Sequence, residues 1–115
     1  MNLIDIDLKE MTEQKWNTIF EEIRSQIKPS KDKKMKSRSS YEQTNYDGET
    51  QWYRYCQFIN ETLSAIRNGE SEYCFYPYQV AELLRFEPDR LIAKWLPNDK
   101  CFLVYLDKNN KINMQ

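Results

Sequence analysis

The chain has 115 residues, 40% apolar and 30% charged, with a formal net charge of −1 and no histidine. A mass of 14.0 kDa suits one hydrophobic core and is too small for two, and without a run of about 18 apolar residues no membrane-spanning helix is expected. Lack of histidine removes the commonest general base, the Ser-His and Cys-His nucleophile pairs and most zinc chemistry.

The start, MNLIDIDLKE, has no basic stretch followed by an apolar one, so no secretory signal is expected and a cytoplasmic location is. Further on, Trp16, Ile19, Phe20, Ile23 and Ile27 recur at helical spacing. Thr12 is the candidate N-cap, with Met11 and Trp16 placed to form a hydrophobic staple around it. Residues 1–27 thus form an N-terminal unit built on an amphipathic helix over about 12–27, whose apolar stripe is expected to dock on the helix of residues 50–68 or on a second copy.

Charge is unevenly spread. Residues 1–27 carry three basic and six acidic residues, residues 28–40 six basic and one acidic, and residues 41–115 eight basic and eleven acidic. The stretch KPSKDKKMKSRSS has one large apolar residue, Met35, which is too little apolar surface to offset its ordering entropy. Residues 28–49 are therefore predicted to be a flexible linker with a basic first half.

Trp52, Tyr55, Cys56, Ile59, Leu63 and Ile66 repeat the helical spacing, with Asn68-Gly69 as the stop, and predict a second amphipathic helix over about 50–68. Tyr73–Tyr76, ended by Pro77, reads as a strand. Val80, Ala81, Leu83 and Leu84 predict a short helix that ends near Phe86-Glu87-Pro88-Asp89. Pro88 suits the first turn of a further helix carrying Leu91, Ile92, Trp95 and Leu96. Cys101–Leu106 is β-prone, Asp107–Asn110 reads as a turn, and Lys111–Gln115 as the second arm of a hairpin. The strand at Tyr73–Tyr76 is expected to pair with that hairpin, because an isolated hairpin is marginal in water.

The expected fold is therefore α+β, mainly helical, with a small antiparallel sheet. From residue 50 to 115 the order helix, strand, helix, turn, helix, strand, turn, strand resembles the winged helix-turn-helix class, in which the second helix of the pair enters the major groove and the hairpin flanks it as a wing. Val80, Ala81, Leu84 and Leu91 match the class's inward positions, and Arg85 stands where many members have glycine. The resemblance implies that Arg90 and Lys94 lie on the reading helix and Lys108 and Lys111 on the wing. Lys33, Lys34, Lys36 and Arg38 of the basic stretch would then neutralise phosphates.

Competing readings of single features stay open at this point. The eight tyrosines and three tryptophans suit a base-stacking platform, but most fall on expected inner faces and read as core, with Tyr41, Tyr46 and Tyr53 as exceptions. The three cysteines, at wide spacings and without a CxxC, indicate neither a disulfide framework nor a metal site and read as reduced core residues. With only two glycines and no phosphate-loop motif, no enzyme and no cofactor is expected. Two functions are in view: a DNA-binding or regulatory module acting on duplex DNA, and a protein-interaction module of a mobile-element or phage accessory system that meets a protein partner or a second copy. No membrane partner is expected.

Overall fold

A computed structural model describes residues 3–36 and 46–108. In chain order the elements are two short 3-10 turns, Leu3–Asp5 and Leu8–Glu10, then α1 (Glu13–Gln26), α2 (Tyr46–Arg67), β1 (Glu72–Cys74), α3 (Pro77–Phe86), β2 (Leu91–Leu96) and β3 (Cys101–Leu106). The fold is α+β and mainly helical. No helix among the described residues is long and apolar enough to cross a membrane.

Local chemistry sets the helix ends. At the start of α1, the Thr12 hydroxyl oxygen accepts from the Lys15 N–H at 3.1 Å, and Met11 and Trp16 on either side are both buried. α2 ends in a Schellman arrangement: the N–H of Glu70 donates to the Ala65 carbonyl and that of Gly69 to the Ile66 carbonyl, with Gly69 at φ +90°. Pro77 occupies the first position of α3, and the Gln79 side-chain oxygen accepts from the N–H groups of Phe75 and Tyr76.

The three strands form one antiparallel sheet in the order β1-β3-β2. As expected, the aromatic strand pairs with the β-prone run near the C-terminus, with Tyr73 opposite Leu103. The partner of that run in a hairpin is different from the one anticipated. Residues 91–96, expected to form a helix from Pro88, are strand β2, with Lys94 opposite Leu103 and Trp95 opposite Phe102. Leu91, Ala93 and Trp95 are buried while Ile92, Lys94 and Leu96 are more exposed, which is the period of two that a half-buried strand demands. Pro97–Lys100 is the loop of the β2–β3 hairpin, and Lys100 adopts φ 53° there. Three helices and a small antiparallel three-stranded sheet are compatible with a winged-helix-like arrangement, but residues 91–96 supply no reading helix. Residues 111–115, expected as a hairpin arm, lie outside the described residues.

α1 packs on β2 and α3 rather than, as expected, on α2. The reason is polar as well as apolar. Trp16 lies tilted against Phe102, with ring centroids 4.2 Å apart, and its indole N–H donates to the Ala93 carbonyl at 2.8 Å. Arg24 donates to the carbonyls of Pro88 and Leu91. These donors satisfy outward carbonyls along an edge strand that would otherwise need water.

The basic stretch is likewise not free where it is described. Ser30 donates its N–H to the Arg85 carbonyl, Met35 is buried, and the Asn60 side chain both accepts from the Met35 N–H and donates to its carbonyl, each at 2.7 Å. Residues 30–36 thus form a strap fastened along α2, which corrects the flexible-linker reading for this part. One buried methionine and a bidentate asparagine outweigh an otherwise charged composition.

Candidate nucleic-acid interface

Inward alternation leaves the sheet with an outer face. It carries Tyr73 on β1, Leu103 and Tyr105 on β3, and Ile92, Lys94 and Leu96 on β2. Tyr73 is 52% exposed, and Tyr105 is half-buried opposite Ile92. The Lys94 ammonium stands 5.8 Å from the centre of the Tyr105 ring, within reach of a cation–π contact.

Tyr105 also borders a cleft of about 370 Å³ at one end of the sheet. The turn after α2, the chain entering β2 and the end of β3 meet there, because β1 and β2 both run antiparallel to β3. Three cations line the cleft, Arg67, Arg90 and Lys108, against two carboxylates, Glu70 and Asp107. Arg67 is committed: it forms a 2.6 Å ion pair with Glu87 and donates to the carbonyls of Lys33 and Phe86. Arg90 and Lys108 form no ion pair among the described residues. Arg90 is half-buried, its carbonyl accepts from the Asp107 N–H at 2.7 Å, and its Nε is buried with no hydrogen-bond partner among the described residues. The backbone bond fixes where the side chain leaves the end of the sheet; Nε is shut away from solvent, so the Nη groups are the donors an oxyanion would meet. The Lys108 ammonium lies near Gly69, 3.8 Å from where a Cβ on that glycine would stand.

Of the residues chosen from sequence, Arg90, Lys94 and Lys108 come together on one surface, though on strand termini and a strand face instead of a helix and a wing. Lys33 lies beside them, since its carbonyl is held by Arg67. Lys34 is exposed on the same strap. Lys36 does not join them: its carbonyl accepts from the Cys56 thiol, eleven residues before Arg67, or roughly 16 Å along α2, and its ammonium pairs with Asp32 at 3.6 Å. Arg38 and Lys111 lie outside the described residues. The sequence reading missed Tyr105 and Tyr73 because aromatic strand residues were assigned to the core. The available signal was alternation, since Tyr105 falls out of phase with Phe102, Val104 and Leu106.

The cysteines offer no reactive centre. Burial first, and the Glu72 charge second, push the Cys74 thiol up to about 12, and burial also raises Cys101. All three are buried, and none is in a disulfide. Among the described residues no cluster of three or more His, Cys, Asp or Glu is arranged to hold a metal ion.

At the opposite end of the sheet lies a second surface feature. Phe75, Tyr76 and Tyr78 are exposed, and the rings of Tyr76 and Tyr78 stack with centroids 5.4 Å apart. Comparison with protein-family models, with curated proteins and with solved structures finds no match for this chain.

Proposed function

We propose that this chain is a small non-enzymatic nucleic-acid-binding module, regulatory in character, whose contact surface is the basic end and outer face of its sheet. The observation that carries this reading is the convergence of Arg90 and Lys108 on one cleft, with Lys94 joined to it through Tyr105. Phosphate neutralisation dominates affinity for nucleic acid. A half-buried guanidinium beside an ammonium, neither in an ion pair among the described residues, is a donor set that suits a phosphate. Lys33 extends the positive surface along the strap. Contacts of this kind set position and orientation without reading sequence, and a reading helix in the winged-helix manner plays no part in the proposal.

The experiment is a binding titration of labelled oligonucleotides across salt, between about 50 and 200 mM. The parent should lose affinity steeply. The double variant Arg90→Gln, Lys108→Gln should flatten the slope by roughly 0.7–0.9 per phosphate released from contact. A parent that binds no nucleic acid at the low-salt end would reject the reading.

A protein partner is the second reading, and the exposed Phe75, Tyr76 and Tyr78 favour it, since exposed aromatic clusters mark interaction surfaces. It places the working surface at the other end of the sheet, away from Arg90.

A further inference from the structure

We infer that the nucleic acid taken by this surface is single-stranded, with bases stacked on Tyr105 and Tyr73 and a phosphate seated between Arg90 and Lys108. The inference rests on the nucleic-acid reading above and goes beyond it by naming the class of strand.

A duplex is read when a helix with several cations together on its outer face enters the major groove, and the described helices offer no such cluster: on α2 the exposed Arg54 stands thirteen residues before Arg67. α1 exposes Glu13, Glu21 and Glu22 against Lys15. In α3, Arg85 pairs with Glu82 at 2.6 Å, and Arg67 of α2 is taken by Glu87. Lys94 stands instead on the sheet, and Arg90 and Lys108 at its end, none of them in an ion pair among the described residues.

Tyr73 faces Leu103 across the β1–β3 pair, and Tyr105 is two residues further along β3. Diagonal neighbours of this kind lie about 7–8 Å apart on one face. Two rings at that separation can receive neighbouring bases only if the bases are unstacked from a complementary strand, because a duplex presents base edges and not base faces.

Lys94 faces Leu103 from the other side, in the same row as Tyr73, and its ammonium stands over the Tyr105 ring. A base that stacks on Tyr105 takes the place of the Lys94 ammonium over that ring, and the displaced ammonium meets the base's own phosphate. The next phosphate along the backbone is then directed toward the cleft that Tyr105 borders, where Arg90 and Lys108 form no ion pair among the described residues. Aromatic faces interleaved with cations along a groove are the arrangement that holds single strands with little regard to sequence.

The test compares a labelled oligothymidylate of about 12 nucleotides with a duplex of the same length, using the full chain and three variants. Tyr105→Leu keeps an apolar residue in the strand, Tyr105→Phe keeps the ring, and Tyr73→Leu removes the exposed ring. Single strand should be preferred to duplex by at least about tenfold, and Tyr105→Leu should weaken it by roughly tenfold without changing the salt slope. Tyr105→Phe should bind like the parent, and Tyr73→Leu should weaken binding as Tyr105→Leu does. Equal or tighter binding of duplex, or indifference to Tyr105→Leu, overturns the single-strand inference and leaves the broader nucleic-acid reading in place. Failure to bind either oligonucleotide overturns both and transfers support to a protein partner.

Discussion

The indole N–H of Trp16 donates to the carbonyl oxygen of Ala93 at 2.8 Å, joining two residues 77 positions apart. Together with the Arg24 bonds to Pro88 and Leu91, this bond fastens α1 to the edge of β2, while the ring itself lies against Phe20 and Phe102. Trp16→Phe keeps most of the packing and loses the donor, so it should lower unfolding free energy by about 1–3 kcal/mol, the cost of an unsatisfied buried acceptor. Trp16→Ala should cost about 3–5 kcal/mol. Urea denaturation of the two variants separates the polar from the apolar share.

The strap gives a second prediction. Asn60 holds Met35 through both halves of its side-chain amide. Asn60→Ala should release residues 33–36 and raise tryptic cleavage after Lys34 and Lys36 several-fold, because cleavage follows local opening. Equal cleavage of parent and variant would show that the strap is held by something other than this amide.

Gly69 gives a third. Its φ of +90° is one that L side chains rarely adopt, yet an added Cβ would meet only the Lys108 ammonium at ordinary contact distance. Gly69→Ala should therefore cost about 1–2 kcal/mol from backbone strain, with binding by the Arg90 cleft retained. Thermal denaturation measures the first effect and oligonucleotide titration the second.

A fourth prediction concerns pH. Burial raises the Cys74 thiol to about 12 from the ordinary value of 9.0, so the folded state disfavours the thiolate that the unfolded chain forms readily. The stability this contributes is complete below pH 9 and is lost as pH rises from there toward 12. Cys74→Ala should flatten the alkaline limb of stability against pH. In the native parent at pH 7–8, Cys74 should resist a thiol-reactive disulfide reagent and react once the chain is unfolded.

Part of this architecture was legible in the residues and part was not. Thr12 and Asn68-Gly69 marked helix ends by local chemistry, and the structure uses both as such. The pairing of the Tyr73 strand with Cys101–Leu106 followed from the need of each β-prone run for a partner. LIAKWL was misread because Leu91, Ile92, Trp95 and Leu96 satisfy helical spacing as well as Leu91, Ala93 and Trp95 satisfy a strand. Only the presence of β3 across a four-residue loop decides between them. The strap was misread because its anchors lie elsewhere in the chain, in Asn60, Arg67 and Arg85. The candidate site was legible in its cations. Its aromatic members were hidden by the assumption that strand aromatics face inward.

The central claim is that nucleic acid meets this chain at the Arg90–Lys108 end of the sheet. Mapping of backbone amide chemical shifts during titration with a single-stranded oligonucleotide tests it most directly, because every described residue reports at once. Binding should move the amides of Arg90, Tyr105, Lys108 and Tyr73 and leave those of Glu21 and Glu22 on α1 in place. Shifts confined to Phe75, Tyr76 and Tyr78, or no shifts at low salt, would contradict the account.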